Sequence, residues 1–296
     1  MEAYSRIKRV TKELFGLKQW PKKQRVVPGS FEEQIYFAAV RPGDVCFDVG
    51  ANIGEVSVFL AQIVGERGLV VAFEPVWLMY VQLCRQIQYD TTMKSPIVTI
   101  AQGLADCEKD STIHVPNGKF GMGSMADAAA WEAAQAGASI ESHFVHFTTI
   151  DSFLSKTAMA IPSFIKIDVE GAEKFVLYGA SQMFAAGHRP LMLIEVFAPW
   201  EKAFGYGPWE PLSWLRERGY RFLFACPTGL VEHVPVKEKP YPAQYEMGYN
   251  ILAYCPEMHA ERIAAMKPLC EGGNAKLLSM APPPQANSES STSASI

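Results

Sequence analysis

The sequence predicts an α/β fold built on a mostly parallel sheet with helices on both faces. Three observations predict it. From residue 44 to 219, short apolar runs rich in β-branched residues alternate with stretches of helical periodicity. Most of these runs are bounded by Gly or Pro, and such alternation means βαβ units. The chain has 296 residues, 49% of them apolar, which is ample for a sizeable core.

In chain order, "DVCFDVG" (44–50) reads as the first strand and "GEVSVFLAQIVG" (54–65) as a helix. "GLVVAFEP" (68–75) is a strand stopped by Pro75, and 76–90 a second helix. Residues 95–106 supply a third strand with a loop after it. The stretch 107–150 reads as an insertion over the sheet: a strand, a Gly-rich turn, the Ala-rich "DAAAWEAAQAGA", and the alternating "SHFVHFTTI" (142–150). Regularity returns with "IPSFIKIDVEG" (161–171) as strand and 172–187 as helix, with Gly187 as its C-cap. Residues 189–197 form a further strand and 208–219 a helix. The runs 220–227 and 249–256, with no helix between them, predict an antiparallel hairpin at the sheet edge. After residue 257 the chain passes into a Pro/Ser-rich tail, expected to be partly disordered. The domain reading is therefore a basic helical extension over 1–30, an α/β domain over 31–256 with an insertion at about 107–150, and a tail over 257–296.

The net charge of −4 argues against a general nucleic-acid or membrane binder, but it is unevenly spread. Residues 1–25 hold eight Lys/Arg against Glu2 and Glu13, so they carry +6 and leave −10 for the rest. This basic start reads as an amphipathic helix that packs on the domain, helps a homodimer form, or docks on an anionic surface or partner. It has no apolar run of signal-peptide length, and no stretch in the chain suits a membrane span. Six scattered cysteines lack a CxxC, so neither zinc nor a disulfide framework is indicated. A cytoplasmic protein is expected.

In an open parallel sheet, ligands bind at the C-terminal ends of the strands. The first such end, "DVGANIG", offers Asp48, Gly50, Ala51, Asn52 and Gly54. Its glycines are spaced GxxxG rather than GxGxxG, and Asp48 suits an ammonium group better than a pyrophosphate. That disfavours an NAD-dependent oxidoreductase. Glu74, 24 residues after Gly50, ends the second strand before Pro75 and suits ribose hydroxyls. Asp106, after the third strand, suits an adenine amino group, with Leu104 and Ala105 flanking the ring. Together these fit S-adenosylmethionine. The stretch "FIKIDVEGAE" sets Lys166, Asp168 and Glu170 on alternate positions of a strand end, where a buried strand should be apolar. Asp168 and Glu170 are expected to face the cleft, with Lys166 neutralising one acid. Asp168 is a candidate for orienting the cofactor or taking a proton from the substrate. Glu195, ending the next strand, supplies a second cleft carboxylate. Asp168 with Glu195 has the chemistry to take Mg²⁺, though two acids do not make a metal site. Other candidates are His143 and His146 in the insertion, Asn250 on the last strand, and the aromatic loop from Phe197 to Trp209 as a substrate wall.

The motifs "DVGANIGEVS", "FEP", "TTIDSFL" and "FIKIDVEGAEKFVLYGA" resemble, nearly letter for letter, the FkbM family of S-adenosylmethionine-dependent methyltransferases. The resemblance covers roughly residues 44–256. It implies a class I methyltransferase, with a Rossmann-like seven-stranded sheet whose last strand is antiparallel. It also implies methyl transfer, usually to a hydroxyl oxygen of a sugar or specialised metabolite, so the expected partner is a small molecule. Transfer to nitrogen, or a cofactor-binding module recruited through the basic start, are the alternatives. Under the resemblance, Asp48, Gly50, Asn52 and Gly54 form the loop for the methionine end, and Glu74 binds the ribose.

Overall fold

A computed structural model describes residues 30–90, 92–116, 123–126, 139–196, 198–226, 229–243, 245 and 250–270. The basic extension up to residue 29, Phe197, residues 117–122 and 127–138 of the insertion, and the tail from 271 lie outside the described residues.

The first helix, α1 (Phe31–Ala39), is capped by the Ser30 hydroxyl, which accepts from the Glu33 amide. Two strand–helix pairs and a third strand follow. They are β1 (Val45–Val49) and α2 (Glu55–Val64); β2 (Leu69–Phe73) and α3 (Trp77–Tyr89); then β3 (Ile97–Ile100). These strands pair in parallel, and nearly every residue of β1 and β2 is buried. Burial on both faces explains their unbroken apolar runs. Asp48 is the exception, and it lies near the C-terminal end of β1.

The insertion forms its own sheet. Here β4 (Gly103–Leu104), β5 (Lys109–Pro116) and β6 (Ile140–Thr148) pair in the order β4-β6-β5, separate from the main sheet. One face of the β5–β6 hairpin carries Ile113, Val115, Val145 and Phe147, which pack on Val76, Leu78 and Met79 near the start of α3. The other face holds His114 and His146 in contact with Ser142 and Asp110.

The second half returns to the main sheet. Thr149 caps α4 (Ile150–Thr157), and β7 (Phe164–Ile167) lies beside β1. The single helix predicted over 172–187 is two: α5 (Glu173–Tyr178) and α6 (Ser181–Ala185). The break falls at Gly179, where an added Cβ would lie 2.0 Å from the Ala105 carbonyl oxygen. Asp151 then caps the new start by accepting from the Gln182 and Met183 amides. Next come β8 (Leu191–Glu195), α7 (Ala198–Ala203), α8 (Trp209–Arg216), β9 (Arg221–Cys226), β10 (Gly229–Glu232), β11 (Asn250–Tyr254) and α9 (Pro256–Met266).

The main sheet runs β10-β9-β11-β8-β7-β1-β2-β3, eight strands rather than the seven expected. The added strand is β10, hairpinned on β9. The last strand is antiparallel as expected, but it is not at the edge: β11 inserts between β8 and β9. Past residue 257 the chain is still ordered, because α9 packs on α1. There Arg262 holds Asp44 with two hydrogen bonds of 2.7 and 2.8 Å. No described helix is long and apolar enough to cross a membrane.

Candidate active site

The turn after β1 places a loop at the C-terminal edge of the sheet. Gly50, at φ 84°, and Gly54, at φ 88°, adopt left-handed backbone, and Asn52 joins them at φ 50°. Gly50 is also obligatory for space, since a Cβ there would lie 1.9 Å from the Asp168 carbonyl oxygen. The loop thus rests directly on the turn that follows β7. Asp48 is fully buried beneath it. One carboxylate oxygen accepts from the Ser57 hydroxyl at 2.5 Å, and the other, without a hydrogen bond, lies 4.0 Å from the Lys166 ammonium. Burial raises its pKa, and Lys166 opposes the rise.

Glu74 ties the loop to the second strand. One oxygen accepts from the Asn52 amide and the other from the Val76 amide, both at 2.8 Å. Burial pushes its pKa up to about 7. A carboxylate has about four acceptor positions, so two remain for further donors. A ribose diol offers two, and the loop offers backbone free of side-chain bulk. The residues present therefore fit an adenosyl cofactor. Pro75 is half-buried between Glu74 and α3. Of the adenine candidates, Asp106 is exposed and pairs with Lys109 at 3.2 Å, while Leu104 joins the main core and Ala105 is buried under the hairpin.

The ends of β7 and β8 bring three acids together. Ligand oxygens of Asp168, Glu170 and Glu195 all lie within 4.8 Å of one another. Asp168 accepts from Lys166 at 2.7 Å and shares a hydrogen bond with Glu195. Lys166 is buried, and the acids beside it raise its pKa. Burial resists ionisation of Asp168, but Lys166 and Glu195 outweigh it and hold its pKa low. Burial and the Asp168 charge drive the pKa of Glu195 far up, so Glu195 keeps the shared proton at neutral pH. Burial and Asp168 push Glu170 up to about 8. Near neutral pH the trio thus holds an ionised Asp168, a protonated Glu195, and a Glu170 that titrates close to the working range. Such a trio has the donor set for a hard cation as well as for moving a proton.

The turn is clamped from several sides. Glu170 sits at φ 54°, an unfavourable left-handed conformation for a non-glycine residue. Glu173 accepts from the Val169 and Gly171 amides, Tyr206 donates to the Gly171 carbonyl, and Ser124 of the insertion donates to the Glu170 carbonyl at 2.9 Å. Ser57, Ser124 and Glu173 were not singled out by the sequence reading, and Tyr206 was read only as part of the aromatic wall. Glu173 had a local signal, an acid in the first turn of a helix. Ser124 had none, because its partner is 46 residues away. Asn250 faces Glu195 across the β11–β8 pair. His143 is half-buried on the inner side of the hairpin, and burial lowers its pKa; His146 is exposed and pairs with Asp110 at 2.6 Å. In the aromatic loop, Trp200 and Tyr206 are buried against the Gly171 turn.

This sheet, with its glycine loop and acidic strand ends, has the architecture of a class I methyltransferase. The chain belongs to the FkbM methyltransferase family: a model of the FkbM methyltransferase domain matches residues 48–222. A comparison with curated proteins returned no match. Among solved structures, the FkbM methyltransferase of Methylobacillus flagellatus KT is 17% identical, over 75% of this chain and 50% of its own, with a TM-score of 0.38. This chain therefore spans about half the length of that relative. An S-adenosylmethionine-dependent O-methyltransferase of Thermotoga maritima is 14% identical over 82% and 69%, with a TM-score of 0.41. A precorrin-6y C5,15-methyltransferase of Geobacter metallireducens GS-15 is 12% identical over 80% and 93%, with a TM-score of 0.43.

Proposed function

We propose that the protein methylates a hydroxyl oxygen of a small, polar metabolite. The observation that carries this reading is the convergence of Asp168, Glu170 and Glu195 beside the glycine loop. S-adenosylmethionine, when bound, supplies an electrophilic methyl group on a sulfonium that leaves as the neutral thioether S-adenosylhomocysteine. The chain's part is to hold the acceptor in line and remove its proton. Asp168, fixed by Lys166, orients the acceptor or the methionine end. Glu195, carrying the shared proton, donates a hydrogen bond. Glu170 takes the hydroxyl proton as the oxygen–carbon bond forms and the carbon–sulfur bond breaks. Asp48, through Lys166, holds this arrangement from below, and Gly50, Ala51, Asn52, Gly54, Glu74 and Pro75 frame the cofactor. Leu104 and Asp106 border the adenine end.

The acid excess of the cleft disfavours a polyphosphate backbone, so the reading excludes nucleic acid as acceptor. It uses no Mg²⁺ at the trio, where Lys166 and the shared proton already offset the charge. All six cysteines are free, which fits a reducing cytoplasm. A homodimer remains part of the proposal and is read by size-exclusion chromatography with light scattering.

Calorimetric titration with S-adenosylhomocysteine tests the cofactor half. Binding is expected for wild type, weakened at least tenfold in Glu74→Ala. A panel of hydroxylated and aminated acceptors then tests the chemistry. Product carrying O-methyl groups, with turnover rising as pH approaches about 8, supports the assignment. Glu170→Gln should lower kcat by about 10²–10⁴-fold and flatten that pH profile. Methylation confined to amines would replace the oxygen reading with the nitrogen one.

A further inference from the structure

The insertion meets the acid turn at one point for which the proposed chemistry assigns no task. Its segment 123–126 lies along β5, where the His114 amide donates to the Ser124 carbonyl at 2.8 Å and the Ser124 amide donates back to the His114 carbonyl at 3.1 Å. Gly123 fits closely there: a Cβ on it would meet methyl groups of Ile113 and Val115 at 3.0 and 3.2 Å. Met125 packs on the apolar cluster under the hairpin, the same cluster that takes Ile53 of the glycine loop. Ser124 itself is 1% exposed, and its hydroxyl has a fixed direction. It accepts from the Ala126 amide at 3.3 Å and donates to the Glu170 carbonyl at 2.9 Å.

What that last bond does follows from the backbone it meets. Glu170 is held at φ 54° and Gly171 at φ 96°. Left-handed backbone at a residue with a Cβ is unfavourable and persists only where the surroundings over-determine it. The peptide between 170 and 171 is gripped at both ends: its amide donates to Glu173 at 3.1 Å, and its carbonyl accepts from Ser124. A planar peptide held at both ends cannot rotate. The Cα of Glu170 is thereby fixed, and its side chain leaves toward Asp168 and Glu195. The Glu173 grip is local to the turn. The Ser124 grip comes from 46 residues away and exists only with the insertion seated.

We propose that Ser124 is a positioning residue: through the Glu170 carbonyl it holds the left-handed turn that aims the Glu170 carboxyl into the acid trio, and so makes the insertion part of the catalytic centre. The grip on Glu170 stands by itself; its catalytic consequence rests on the reading of Glu170 as proton acceptor. Charged groups act on Glu170 from three elements: Lys166 and Asp168 at the end of β7, Glu173 on α5 and Glu195 on β8. Ser124 adds a hydroxyl and no charge. A change in the titration of Glu170 on removing that hydroxyl therefore reports a change of position, not the loss of a charged neighbour. Released from the trio, Glu170 would titrate nearer the ordinary carboxylate range.

The test is a double-mutant cycle on the full chain: Ser124→Ala, Glu170→Gln and the pair. Thermal melting from about pH 6 to pH 8.5 needs no acceptor. Glu170, with a folded pKa of about 8, stabilises the protein fully below its unfolded pKa and loses that effect as pH rises through the folded one. Glu170→Gln should flatten the slope by that share. Ser124→Ala should flatten it at least half as much, and the pair no further than Glu170→Gln alone. A serine that only supports the fold would lower Tm alike at every pH. Turnover of an acceptor found in the panel gives the second readout. Ser124→Ala should lower kcat about tenfold and move the rise of turnover to lower pH. It should leave S-adenosylhomocysteine affinity within about twofold and cost nothing further beside Glu170→Gln. An unchanged slope, or kcat losses that multiply in the pair, would overturn the proposal. A melting cycle that behaves as expected while Glu170→Gln keeps full kcat would support the positioning and remove only the proton-acceptor reading.

Discussion

At the scale of single residues, the strongest constraint falls on Gly50. Its positive φ excludes most side chains, and its nearest neighbour is a backbone oxygen that cannot rotate away. Gly50→Ala must therefore push the loop off the β7 turn. The expected result is at least a tenfold loss of S-adenosylhomocysteine affinity by calorimetry, together with a lower Tm. Gly54, equally left-handed, differs in kind, because a Cβ there meets the flexible end of Leu83. Both glycines were legible as glycines, but which was indispensable was not. The contact with the Asp168 carbonyl joins residues more than a hundred positions apart. Glu201 was hidden for a similar reason. In "PWEKAF" an acid among aromatics reads as a surface residue, and only the packing of α7 on Gly171 buries it.

At the scale of elements, the parallel half of the sheet was readable because burial on both faces leaves a continuous apolar signature. The antiparallel half was not. The insertion of β11 between β8 and β9 is a long-range pairing without a local signal. The split of α5 from α6 likewise depends on the distant carbonyl of Ala105. The start of α9 was passed over because the compositional decay of the tail masked it, although Pro256 at its first position is a common helix start. This helix is pinned by Arg262, whose fork meets Asp44 in a largely buried pair. Arg262→Ala leaves Asp44 without that partner and should cost about 3 kcal/mol of stability, measured by urea unfolding. Cofactor affinity should be little changed, since the pair lies at the N-terminal end of β1, away from the glycine loop.

At the scale of the whole molecule, an unusual share of the acidic groups is buried on one side. Burial raises the pKa of Glu74 and Glu173 to about 7, and of Glu170 and Glu201 to about 8. A carboxyl whose folded pKa lies above its unfolded value binds its proton more tightly when folded. Its stabilising effect is complete below the unfolded pKa and is lost as pH rises through the folded one. The protein should therefore melt progressively lower from pH 6 to pH 8.5. A melting series across that range reads the slope. The contact between Gly50 and the Asp168 carbonyl has a further consequence at this scale. On the proposed function, the loop framing the methyl donor and the turn facing the acceptor share a wall one backbone thick, so neither can shift alone. That reading makes affinity for the methyl donor and affinity for its acceptor a linked pair: whatever factor one ligand imposes on the other is returned in kind, and a titration of each in the presence of the other reads it.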